Sequence, residues 1–239
     1  MESLLFLYGE LRSFETAIKT WNILNMPELD IIVHTPNTTT PKFSNITYVN
    51  VTEQDFAKLP NSKIYLHDRE DYKISDSHVL HYSYRFLSNY LKTSKKYKYI
   101  FIGRVDSTFY IHDLDNFLKT CDDELYVQQL PNTENSFMPD HVFFGKYDVV
   151  KKFVDKLPPS EQLEYSHSDM GRYLIREKFN LKQWPTFESR HIRDNMEDIF
   201  NNYFKNRQSI QKIDDEYLNF YRNNNKLFIK LDNEYKRSK

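Results

Sequence analysis

Glycine is scarce in this chain, with four in 239 residues. That excludes the glycine-rich loop with a lysine that a nucleotidyltransferase carries after its first strand. There is one cysteine, Cys121, so no internal disulfide forms and a reducing compartment is expected. No apolar run approaches the roughly 20 residues that span a bilayer. The Met1-Glu2-Ser3 start is acidic, and Leu4–Tyr8 is too short for the apolar region of a signal peptide. A cytoplasmic protein is therefore expected, and the sequons at Asn37, Asn45 and Asn50 read as chance matches. Neither sign of charge dominates: 33 Lys and Arg stand against 34 Asp and Glu, interspersed, for a net charge of -1. This argues against nucleic acid as a partner.

Aromatic residues are plentiful, with 18 Tyr and 18 Phe, and together with Asn, Lys and Ile they fit the codon bias of an AT-rich genome. The length suits one large domain, or one domain with an appendage, and supports a sizeable core. Leu4–Tyr8 reads as a short buried strand ended by Gly9. Ser13 suits an N-cap, and Phe14, Ala17, Ile18 and Trp21 recur at helical spacing, predicting a helix to about Asn25. Strands are expected at Asp30–His34, Ile46–Val51 and Lys63–Leu66, with a helical turn at Asp55–Leu59. The helix Leu80–Leu91 leads through a lysine-rich turn, Lys92–Lys98, into a strand that ends at Arg104. Further on, Asp113–Lys119, Tyr147–Leu157 and Ser168–Lys178 read as helices. Leu125–Gln128, His141–Phe144 and Asn180–Pro185 read as strands or extended segments. Beyond Arg193, helical periodicity recurs in Met196–Phe204 and Asp215–Tyr221, with aromatics that need burial. The rhythm predicts an α/β sheet with a nucleotide-binding half first.

The chemistry concentrates at strand ends. Tyr97–Asp106 is an aromatic and Ile-rich strand that delivers Arg104 and Asp106 on alternate residues. Strand geometry would point both out of the sheet's carboxyl edge. An arginine suits phosphate oxygens, and a carboxylate suits Mg²⁺ or Mn²⁺ held mainly through phosphates. An internal ion pair at a strand end is the alternative. In Tyr8-Gly9-Glu10-Leu11-Arg12-Ser13 the glycine permits close backbone approach, the following helix start favours an anion, and Arg12 supplies a charge-assisted bond. A surface arginine after a tight turn would look the same.

These segments resemble the small GT-A glycosyltransferases, the compact enzymes of large algal DNA viruses and of bacterial surface-polysaccharide clusters. The resemblance spans residues 4–193 and rests on four short pieces in order. They are Gly9–Phe14, the strand ending Val33-His34-Thr35, Tyr99–Asp106 in the place of the Asp-x-Asp motif, and Pro139–Gly145. It implies a GT-A-like, Rossmann-like mixed sheet flanked by helices. Residues 1–106 would form the nucleotide-sugar half, 107–193 the acceptor half, and 194–239 a helical C-terminal extension packed on the core. It further implies a UDP-sugar or related donor, a glycan or glycoprotein acceptor, and a Mn²⁺ or Mg²⁺ cofactor. Tyr8, Gly9, Arg12, His34, Thr35, Arg104 and Asp106 would contact the donor, with Asp106 on the metal. The first Asp of the motif is Arg104 here, which favours direct neutralisation of the diphosphate.

Inverting transfer needs a carboxylate base near the acceptor hydroxyl. Asp169 in Ser166–Gly171 stands where the resembling enzymes place theirs, although Ser168 as N-cap with Asp169 on the helix dipole explains the same residues. Asp140 and His141 are candidates for sugar or acceptor contacts, His141 also as a core histidine. His191 is a candidate second metal ligand and Arg193 a diphosphate contact. A non-catalytic nucleotide- or carbohydrate-binding module with a degenerate site is the reading that Arg104 leaves open; slow hydrolysis of a nucleotide sugar separates the two.

Overall fold

The structure is a computed structural model. It describes residues 2–9, 11, 14–18, 21–35, 46–50, 76–107, 109, 111, 113–134, 136, 138–139, 142–157 and 166–183. The segments expected at 55–59, 63–66, 196–204 and 215–221, and the extension at 194–239, lie outside these. The chain divides into two compact units. One comprises Met1–Glu10, Pro27–Arg104 and Cys121–Trp184; the described part of the other lies within Leu11–Met26 and Val105–Thr120.

The first unit is built on β1 (Ser3–Tyr8), whose six side chains are all buried. A strand covered on both faces reads as a continuous apolar run, which is the signal its sequence carries. It pairs in parallel with β2 (Leu29–Thr35) on one side and β4 (Tyr99–Arg104) on the other. β3 (Ile46–Asn50) adds in parallel beyond β2. β6 (Val142–Lys146) runs antiparallel to both β4 and β5 (Leu125–Val127), and β7 (Leu181–Gln183) is parallel to β5. The sheet order is β3-β2-β1-β4-β6-β5-β7. This is the mixed α/β sheet flanked by helices expected from the sequence.

Three helices cover one face of that sheet. In α2 (Asp76–Thr93), Leu80, Tyr84, Leu87 and Leu91 form a stripe at helical spacing. Val150, Phe153 and Val154 of α4 (Tyr147–Asp155), and Met170, Tyr173 and Leu174 of α5 (Ser166–Arg176), complete the layer. They meet Leu4, Phe6 and Tyr8 of β1, Ile100 and Ile102 of β4, and Phe143 of β6. Phe153 is central: its ring lies 4.9 Å from Phe143 and 5.6 Å edge-on from Tyr84, and its carbonyl accepts from the Tyr173 hydroxyl at 2.8 Å. On the opposite face Phe101 stacks on Phe144 at 4.3 Å. The aromatic surplus is thus spent on packing, whatever its genomic origin.

A polar clamp closes the sheet's N-terminal edge. The Tyr97 hydroxyl donates to Asp30 at 2.9 Å and meets the Tyr90 hydroxyl at 2.9 Å, while Lys95 pairs with Asp30 at 3.0 Å and Glu2 at 3.3 Å. Burial, followed by these hydrogen bonds, raises the Tyr97 hydroxyl far above its ordinary range, so it stays a neutral donor. Lys95 is thus paired, while Lys92, Lys95, Lys96 and Lys98 of the lysine-rich turn all remain exposed to solvent.

The second unit departs from expectation. The single helix predicted from Phe14 to Asn25 is divided into α1 (Phe14–Ala17) and a 3₁₀ turn, Asn22–Asn25. Trp21 N–H bonds Ile18 and Leu24 N–H bonds Trp21, both spanning three residues. Tertiary bonds supply the reason. The Asn22 amide donates to the Ile111 carbonyl at 2.7 Å and accepts from the Ile111 N–H at 2.9 Å, and the Trp21 indole donates to the Ser107 carbonyl at 2.9 Å. Orphaning such buried groups costs about 1–3 kcal/mol each, more than continuing a weak helix returns. Farther on, α3 (Leu114–Thr120) follows Asp113, whose carboxylate accepts from the Asn116 N–H at 3.4 Å.

Among the described residues no helix is long and apolar enough to cross a membrane. Replacing Phe153 by Ala should lower unfolding free energy by about 3–5 kcal/mol. Urea denaturation checks this; a loss under 1 kcal/mol would contradict its central place in the core.

Candidate functional site

Open parallel sheets bind ligands outside the carboxyl ends of their strands, where the strand order reverses. In the first unit that place is the β1/β4 junction. From β1 the chain builds outward to β2 and β3, then returns to lay β4 on the other side of β1. Tyr8 is paired with His34 in β2 and with Arg104 in β4. Three residues from separate segments of the sequence thus stand in one row across the sheet edge, on the face that carries α2. The ladder runs one residue further: Gly9 N–H donates to the His34 carbonyl at 3.1 Å. Gly9 then turns at φ 116°, a conformation that side chains strongly disfavour, so glycine here is a backbone requirement.

The row is filled from below by α2. His34 is buried, stacks on Phe86 at 4.7 Å, and shares a 2.8 Å hydrogen bond between Nδ1 and the Ser83 hydroxyl. The Tyr84 hydroxyl donates to the Tyr8 hydroxyl over 3.5 Å, with the rings edge to face at 5.4 Å. Thr35, next along β2, is also buried and pairs with Asn50. Arg104, by contrast, is only partly buried. Among these, Arg104 is the cation placed at the edge. Ser83 and Tyr84 carry no local signal, since each meets its partner across 49 or 76 residues of chain.

The alternation argument for Arg104 and Asp106 needs correction. β4 ends at Arg104, and Val105 and Asp106 form a turn, so the two-residue strand period does not carry the carboxylate along. The boundary between the units also falls between Arg104 and Val105. Within the second unit Asp106 is buried, with 6% of its surface exposed. A buried carboxylate needs cationic, hydrogen-bonding or metal partners to remain charged. It is a suitable donor for a hard divalent cation, which takes oxygen ligands and keeps phosphate and water in its remaining positions. Among the described residues no group of three or more His, Cys, Asp or Glu forms a metal-binding cluster.

Asp169 is the fourth residue of α5, which begins at Ser166 rather than after Ser168. Ser168 lies inside the helix, so the N-cap explanation for this pair does not apply. The side chain of Asp169 is outside the description, as are Arg12, Asp140, His141, His191 and Arg193. Cys121 offers no alternative nucleophile: burial pushes its thiol up to about 11, despite an opposing hydrogen bond from Tyr126.

No family model matches the chain, and no curated protein matches it. Among solved structures it is similar to the galactosyltransferase LgtC in complex with donor and acceptor sugar analogs, at 11% identity and a TM-score of 0.46. That match covers 76% of this chain and 72% of the other. An active-site mutant of LgtC matches over the same shares at 11% identity, with a TM-score of 0.47. At these values the functional reading rests on the chain's own residues.

Exchanging Ser83 for Ala removes the partner of His34 Nδ1 inside the core. Stability should fall by about 1–3 kcal/mol, against no more than about 0.5 kcal/mol for Ser94→Ala on the surface. Equal effects in urea titrations would show that α2 does not hold the row through this bond.

Proposed function

We propose that this chain is a nucleotide-sugar-dependent glycosyltransferase with a GT-A-like fold, moving a sugar from a UDP-sugar to a glycan or other hydroxyl acceptor in the cytoplasm. The observation that carries the reading is the row of Tyr8, His34 and Arg104 at the strand-order reversal, with Gly9 turning directly above it. This juxtaposition brings together pieces that the sequence holds about 26 and 70 residues apart, in the order the resemblance requires.

The roles follow from charge and position. Arg104 neutralises the diphosphate as it departs, with Arg12 and Arg193 as further cations on the same oxygens. Gly9 admits the donor to close backbone approach. Tyr8, His34 and Thr35, locked by α2 and β3, form the rigid wall of the donor side. Asp106, with His191, would hold Mn²⁺ or Mg²⁺. Such an ion, when bound, adds electrophilic stabilisation of the leaving diphosphate. Asp169 takes the proton from the acceptor hydroxyl as its oxygen attacks C1. The C1–O bond to phosphate breaks, UDP leaves with the bonding electrons, and the anomeric centre inverts. Asp140 and His141 orient the sugar or acceptor hydroxyls. Residues 1–106 serve the donor, 107–193 the acceptor, and 194–239 form a C-terminal extension.

A panel of nucleotides and nucleotide sugars in a thermal-shift assay, with and without Mn²⁺, tests the class and the donor base together. A selective, metal-dependent rise for one diphosphate is expected, because a ligand that binds only the native state raises its melting temperature by mass action. Asp106→Ala should abolish metal-dependent donor binding and hydrolysis; unchanged Mn²⁺-dependent activity removes Asp106 from the metal role. Asp169→Asn should retain donor binding and lose transfer by about 100-fold or more, the scale of general-base catalysis. Normal turnover would eliminate Asp169 as the base. A protein that binds nucleotide sugars and never hydrolyses them is the binding module instead.

A further inference from the structure

Within the first unit, the loop from Pro131 to Pro139 joins β5 to β6 and leads directly into Asp140 and His141, while α5 carries Asp169. The two elements touch at Gly171. A Cβ at this position would overlap the Ser136 carbonyl oxygen, lie 2.9 Å from the Ser136 carbonyl carbon and 3.4 Å from Pro131 Cβ. The obstacle is backbone, which cannot swing aside as a side chain does. Glycine inside a helix is unfavourable by about 0.5–1 kcal/mol relative to alanine. In a chain with four glycines, one is kept here, buried and mid-helix.

The loop is equally committed. Ser136 adopts φ 59°, a left-handed conformation that costs a non-glycine residue roughly 1–2 kcal/mol. Its N–H bonds the Asn132 carbonyl at 2.8 Å, and the Asn132 side chain accepts from the Glu134 N–H at 2.7 Å. Met138, two residues on, is fully buried in the core beneath the helices. Two locally unfavourable choices therefore meet at one contact, and the loop is pinned on both sides of it. Strain retained in this way commonly marks a place where geometry matters to function.

We infer that Gly171 is a positioning residue that seats α5, the helix carrying Asp169, against the Pro131–Pro139 loop, and so fixes how an acceptor hydroxyl is presented. This rests on the glycosyltransferase reading above. Replacing Gly171 by Ala forces α5 and the loop apart while leaving the Tyr8–His34–Arg104 row untouched, so it separates acceptor use from donor use.

The test uses the full chain. Release of UDP from UDP-galactose and UDP-glucose is measured with water alone, and with lactose or methyl β-galactoside as acceptor. In Gly171→Ala, the rise in melting temperature given by the UDP-sugar should stay as in wild type, while the ratio of transfer to hydrolysis falls about tenfold or more. Misplacement by ~1 Å is enough to produce such a loss. Asn132→Ala, a surface change that loosens the same loop, should move the ratio in the same direction. A folded Gly171→Ala with an unchanged ratio overturns the inference. If that variant does not fold, an unchanged ratio in Asn132→Ala overturns it. No release by the wild-type protein overturns the glycosyltransferase reading itself, and this inference with it.

Discussion

Parallel hydrogen bonding of β1 to strands on both of its sides is the constraint on which the first unit depends. With all six residues of Ser3–Tyr8 buried, β1 has no solvent face on which an altered register could be tolerated. A slip of one residue would exchange Leu4, Phe6 and Tyr8 for Ser3, Leu5 and Leu7 against the helical layer. The same register that satisfies the core therefore puts Tyr8 level with His34 and Arg104. Core packing and site geometry are set by one set of hydrogen bonds.

The helical layer gives that edge its character. Aromatic rings of α2, α4 and α5 fill the space beneath β1, β4 and β6, and the polar ends of Tyr8 and His34 are taken up by Tyr84 and Ser83. A buried polar group without a partner costs more than its hydrogen bond returns, so these contacts are obligatory rather than incidental. They leave the first unit with Tyr8 and His34 buried and held in the row and Arg104 partly exposed at its end. Such stiffness suits a site whose chemistry depends on holding charge in place rather than on moving side chains. Between α5 and the loop from Pro131 to Pro139 the comparable constraint is steric: the backbone of Ser136 against Gly171.

Much of the architecture was legible in the residues. Apolar runs ended by Gly9, Thr35-Pro36 and Arg104 marked β1, β2 and β4, and the stripe Leu80–Leu91 marked α2, because core burial imposes the periods that such patterns report. Periodicity predicts one helix to Asn25 where the chain has two short pieces, because Trp21 and Asn22 are committed to Ser107 and Ile111, 86 and 89 residues away, and periodicity does not see such bonds. Alternation puts Arg104 and Asp106 on one strand face, because the apolar run gives no sign that its hydrogen-bond ladder stops at Arg104. α5 begins at Ser166, two residues before the expected cap at Ser168, because serine is a good N-cap wherever a cap is needed and the sequence does not say where that is.

The sequence by itself determined the α/β class, the strand ends at which charge collects, and the four-glycine economy that makes Gly9 and Gly171 informative. Local preference and burial periodicity act over a few residues, and they are written in the order of the chain. Only the tertiary structure decided that Tyr8, His34 and Arg104 share a row, that Ser83 holds His34, and that Gly171 lies against Ser136. Each of these is a contact between segments distant in the chain. Such contacts are selected by the one register and packing that bury every strand of the sheet at once, and no local pattern encodes them.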